Sequence, residues 1–92
     1  MTVSLRFYGY LNDFLPPFRR GLRFRQVLGT HWSVSDALAV VGVPHSRVDV
    51  VVVNGTPVEL SYVLEDGDRV ALYPPFRSID LGDTVRAGGR AS

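Results

Sequence analysis

Two adjacent residues, Asn54 and Gly55, constrain this chain more than any others. They separate the run Val50-Val51-Val52-Val53 from Thr56-Pro57-Val58. An Asn-Gly pair between two apolar runs is the strongest short-range hairpin signal, because both central turn positions need positive φ. A second turn follows at Glu65-Asp66-Gly67-Asp68, and it feeds Val70-Ala71-Leu72-Tyr73. Pro74-Pro75 must end that last strand, since proline has no N–H to give a ladder.

The first half supplies two more strands and one helix. Thr2 to Tyr8 alternates, with Val3, Leu5 and Phe7 on one face and Ser4, Arg6 and Tyr8 on the other. Leu11 to Leu15 is a short apolar patch closed by Pro16-Pro17, and it predicts a helical turn or ordered loop that plugs the sheet. Leu22 to Val27 alternates as a second strand. Ser33 is a helix N-cap with Asp36 three residues on, close to a capping box. Val34, Ala37, Leu38 and Val41 then fall on one apolar stripe. Gly42 and Pro44 stop the helix. Val48 to Val53 predicts the third strand, Pro57 to Leu60 a short fourth, Ser61 to Leu64 a single turn, and Arg69 to Tyr73 the fifth. The expected domain covers residues 1–80, with Phe76 and Ile79 able to dock on it. Residues 81–92 show no core pattern and predict a flexible tail.

Composition narrows the classes. Ninety-two residues make one small domain with a modest core. No run approaches the roughly 20 apolar residues of a membrane span, and the N-terminus alternates like a strand, unlike a signal peptide. A cytoplasmic location is the expectation. Without cysteine there is no disulfide, thiolate zinc site or cysteine nucleophile. All ten basic residues are arginine, so no side-chain amine is available for isopeptide linkage. Net charge is only +1.

Catalytic groupings are sparse. His31 and His45 are the only imidazoles, and their spacing matches no metal site. Ser33, Ser35 and Ser61 lack a nucleophile-elbow context. Glu65, Asp66 and Asp68 read as a solvated turn. No catalytic residue, cofactor or metal ligand is expected.

The order of elements predicts an α+β fold: a β-grasp, ubiquitin-like mixed sheet of four to five strands with one helix on one face. Val3, Leu5, Phe7, Phe24, Leu38, Val70 and Leu72 should form the core. The other face would carry Arg6, Tyr8, Arg23, Arg25, Arg69 and Tyr73. Arginines interleaved with tyrosines suit base stacking and phosphate pairing. A solvated face or a protein-docking face is the favoured reading, because the near-neutral net charge does not demand nucleic acid.

The stretch from Leu5-Arg6-Phe7-Tyr8-Gly9-Tyr10-Leu11-Asn12-Asp13-Phe14-Leu15-Pro16-Pro17 to Arg19-Arg20-Gly21 resembles a ubiquitin-like N-terminal domain. That domain is found fused to bacterial PIN-like ribonucleases of the Mut-seven C-terminal family. Val43-Pro44-His45, Val53-Asn54-Gly55, Asp66-Gly67-Asp68-Arg69-Val70 and Tyr73-Pro74-Pro75-Phe76 continue the resemblance over residues 3 to about 80. It implies a non-catalytic accessory module whose partner is the ribonuclease domain in cis or trans, and which engages RNA or protein. The Asp-Gly-Asp turn and Pro-Pro ending also resemble the sulfur carriers of molybdopterin and thiamine biosynthesis. That second resemblance implies an adenylating enzyme acting at a C-terminal Gly-Gly. Gly88-Gly89 is present, but thirteen residues beyond Pro75 and followed by Arg90-Ala91-Ser92. A pure protein-interaction module is the third reading.

Overall fold

The computed structural model describes residues 1–75. Five strands form one mixed sheet: β1 (Thr2–Phe7), β2 (Phe24–Val27), β3 (Val50–Val53), β4 (Thr56–Val58) and β5 (Arg69–Tyr73). Their spatial order is β2-β1-β5-β3-β4. The last strand in sequence therefore sits in the middle, parallel to β1 and antiparallel to β3. One helix, α1 (Val34–Val41), lies on the face that carries Val3, Leu5, Phe7, Val51, Val53, Val70 and Leu72. The β-grasp expectation holds.

The helix is short, so it depends on caps and packing. Ser33 Oγ accepts from the Asp36 N–H, and the Asp36 carboxylate accepts from the Ser33 N–H, which completes the capping box. The N–H groups of Val34 and Ser35 donate to the carbonyls of Tyr62 and Leu60. Thus the segment after β4 satisfies the helix's first donors, which would otherwise be orphaned. Gly42, at φ 90°, closes the other end, and its N–H donates to the Leu38 carbonyl. Val34, Ala37 and Leu38 are buried, and Val41 is half-buried beside them. Leu11 and Leu15, from the patch between β1 and β2, complete the core as expected.

Four expectations about strand bounds and packing need correction. The second strand begins at Phe24, because Leu22 is 57% exposed in the turn that follows Arg20. Phe24 itself is only half-buried, since its strand is at the sheet edge. The third strand begins at Val50; Val48 instead closes a 3-10 turn by donating to the His45 carbonyl. The fourth strand ends at Val58, where the chain leaves the sheet to cap α1.

The largest correction is Asp68, read as part of a solvated turn but buried here. Its Oδ1 accepts from the Asn54 amide at 2.8 Å and its Oδ2 from the Glu65 N–H at 2.9 Å. Asn54 Oδ1 in turn accepts from the Arg69 N–H at 2.9 Å. The two turn signals of the sequence are thus bonded to each other. Asp66 and Gly67 bind the other neighbour: Thr2 N–H donates to Asp66 Oδ1 and Gly67 N–H donates to the Thr2 carbonyl. Phe76, Ile79, Gly88-Gly89 and the tail at 81–92 lie outside the described residues.

Asp68→Ala should lower unfolding free energy by about 2–4 kcal/mol, because it strands two donors that a charged group now satisfies. Glu65→Ala at the same turn should stay within about 0.5 kcal/mol. Urea denaturation of both variants checks this; equal effects would mean that the joint does not matter.

Candidate functional site

All six arginines and tyrosines expected on the open face are there, and the register explains how they meet. Ser4 stands between Arg25 on β2 and Arg69 on β5. Arg6 stands beside Ala71, which pairs with Val52, which pairs with Pro57. Tyr73 pairs with Val50, and Tyr8 follows Phe7 at the end of β1. The face thus has a cationic row, a mixed row running to apolar, and an aromatic end.

The aromatic end is ordered by stacking. The rings of Tyr8 and Tyr73 lie 4.5 Å apart and within 7° of parallel. The Arg6 guanidinium carbon lies 4.9 Å from the Tyr8 ring centre, a cation–π contact. Arg6 Nε is buried and has no hydrogen-bond acceptor among the described residues. Arg23 plays a different part. Its Nη1 donates to Ser4 Oγ at 2.9 Å and also reaches the Ser4 and Val70 carbonyls. It is a strut across the face rather than a free ligand group. Arg25 and Arg69 are exposed.

Two shallow hollows flank the strut. One of about 460 Å³ is lined by Arg23, Val52, Asn54, Gly55, Arg69 and Ala71. The other, about 430 Å³, includes Thr2, Ser4, Arg23, Arg25, Asp66 and Arg69. The apolar floor of the first is what the run of four valines implies. Four consecutive valines must point to both faces, but only the register shows Val52 meeting Ala71. Elsewhere, His45 sits against the first turn of α1, with Nε2 3.0 Å from the Ser35 carbonyl. No group of three or more histidines and carboxylates that could hold a metal occurs among the described residues.

Residues 1–80 match the family described as Mut7-C ubiquitin. The chain belongs to that family. Its fold is shared with SAMP1 from Haloferax volcanii, at 22% identity and TM-score 0.61, covering 82% of this chain and 96% of that one. It is shared also with the complex of subunits 1 and 2 of the molybdopterin-converting factor from Helicobacter pylori. There the identity is 20% and the TM-score 0.55, over 82% of this chain and 95% of that chain. At such identity the likeness shows the fold alone. No protein of curated function matches the sequence. No helix among the described residues is long and apolar enough to cross a membrane.

In this Mut7-C ubiquitin domain the tyrosine pair leaves a mark on titration. Burial pushes the Tyr73 hydroxyl above its ordinary range, the charge and hydrogen bonding of Tyr8 add to this, and Arg23 and Arg6 oppose it. The unfolded chain should therefore release this proton first, near the usual value of about 10. Stability should fall as pH rises from there through the folded-state value. A ring-carbon NMR titration should show Tyr73 ionising above about 10, and Tyr8→Phe should bring it down. Ionisation at or below the ordinary value would contradict the stacked arrangement.

Proposed function

We propose that this domain is a non-catalytic accessory module that holds a protein partner against the open face of its sheet. The partner implied by the resemblance is a PIN-like ribonuclease domain, in cis or in trans. One observation carries the proposal: the stacked Tyr8–Tyr73 pair adjoins an arginine with an unmet buried N–H, Arg6, which itself lies beside the apolar residues Ala71 and Val52, while Val50 lies beside Tyr73. Aromatic residues and arginine beside an apolar patch are the composition of interface cores. A partner carbonyl or carboxylate would satisfy Arg6 Nε, which a buried donor requires. The Helicobacter pylori neighbour was itself solved as a protein–protein complex, in keeping with a docking role for the fold.

RNA is the second reading, favoured by the interleaving of arginine with tyrosine on one face. The sulfur-carrier reading depends on Gly88-Gly89, outside the described residues, and the Arg90 that directly follows the pair weighs against it.

Replacing Arg6, Arg25 and Arg69 together by Ser tests the face while sparing the Arg23 strut. The denaturation midpoint should move little. The dissociation constant for the recombinant ribonuclease domain should rise about tenfold or more, the size expected from lost charge-assisted contacts. If RNA is the ligand, its affinity should fall and the slope of log affinity against log salt should shrink by about 0.7 per lost phosphate contact. Survival of both interactions would place the functional surface elsewhere.

A further inference from the structure

The two edges of the sheet differ in what they offer a further strand. In an antiparallel pair, residues alternate between those bonded to the neighbour and those whose N–H and C=O point away from it. Met1 and Leu28 exchange both bonds, each at 2.8 Å. Two steps on, Val3↔Gln26 and Leu5↔Phe24 repeat that bonded geometry. The intervening pairs Thr2↔Val27 and Ser4↔Arg25 are the unbonded kind. Consistently, Thr2 and Ser4 turn their backbone groups to the opposite side, where Thr2 N–H donates to Asp66 and Ser4 N–H to the Asp68 carbonyl. The N–H groups of Arg25 and Val27 therefore point out of the sheet, along an edge of β2 that no other strand covers among the described residues.

At the other edge the same alternation gives the opposite result. Asn54 N–H donates to the Arg69 carbonyl, so the even-numbered residues of β3 bond to β5 and the odd-numbered ones to β4. Val51↔Val58 and Val53↔Thr56 are then the bonded pairs, and Pro57 is the residue of β4 that faces outward. Proline has no N–H, so this edge is blunt, a common protection against edge pairing. The β2 edge carries no such block. Val27 is 70% exposed, and its side chain shares the open face with Arg25 and the Arg23 strut.

We propose that the β2 edge accepts an extended acidic segment of a partner protein, which adds as a sixth strand antiparallel or parallel to β2. Backbone bonds to Arg25 and Val27 would supply the pairing. Charge complementarity names the occupant: carboxylates on the open-face side of the incoming strand would meet Arg25, with Arg23 behind it, and an apolar residue would cover Val27. On the opposite side the segment would meet Phe24, whose ring the Arg19 guanidinium carbon covers at 4.5 Å, and Gln26. The Gln26 amide already donates to the Val27 carbonyl at 3.2 Å, so the segment must displace that one contact. This edge is separate from the Tyr8–Tyr73 end and stands whether or not the ribonuclease domain docks there.

The probe is a short capped peptide alternating valine and glutamate, titrated into the isotope-labelled chain. The Arg25 and Val27 amides should shift saturably and exchange more slowly with deuterium. The Phe24 and Gln26 amides, already bonded inward, should keep their exchange rates, as should Thr56 and Val58. Val27→Pro removes an outward donor without touching the β1 ladder and should abolish binding. Arg25→Glu, which leaves every backbone group in place, should weaken it about tenfold or more. Binding that survives both variants, shifts centred on Tyr8 and Tyr73, or no saturable shift at all would overturn the proposal. In the last case Arg25 simply guards the edge.

Discussion

The domain depends on inserting its last strand between strands that were made first. β5 lies at the centre of the sheet, beside β1 and β3, and neither hairpin buries its inner face without it. Val70 and Leu72 are at most 1% exposed, so the core closes only when β5 arrives. Its start is located by the bonds among Asn54, Asp68, Asp66 and Thr2, which tie the two turns to each other and the second of them to β1. A shift by one residue would turn Arg69, Ala71 and Tyr73 into the core and Val70 and Leu72 out to solvent. The register set by a buried carboxylate is therefore also what assembles the open face.

From that register the functional reading follows. The cationic row and the tyrosine stack come from three strands that are distant in sequence. They sit together because β5 runs parallel to β1, which brings Tyr73 beside Tyr8 and Arg69 beside Ser4. Arg23 locks this arrangement by bonding to β1 and reaching β5. The face is thus held rigid except for the exposed arginines, a preorganised surface that loses little freedom on binding. Open face and β2 edge meet at Arg25, so one partner with an extended acidic segment would reach both.

Much of this was legible in the sequence where the signal is local. Asn54-Gly55, with φ of 51° and 87°, the Ser33–Asp36 capping box, the Gly42 stop and the bounds of β5 were read from a few neighbouring residues each. Strict alternation was enough to put all six arginines and tyrosines on one face. What escaped was tertiary. The starts of β2 and β3 and the end of β4 are decided by where the chain must leave the sheet, as when Leu60 and Tyr62 turn to cap α1. Burial of Asp68 depends on Asn54 being brought to it from fourteen residues away. The strut role of Arg23 and the bluntness of Pro57 need the register, which composition and periodicity do not contain.

Site-specific photo-cross-linking tests the docking face most directly. Benzoylphenylalanine would replace Tyr73 on the open face in one variant and Val40, exposed on the far side of α1, in another. Each would be irradiated with the PIN-like ribonuclease domain. Cross-links from position 73 with none from position 40 are expected. Cross-links from position 40 alone would place the partner on the helix side and contradict the assignment of the open face.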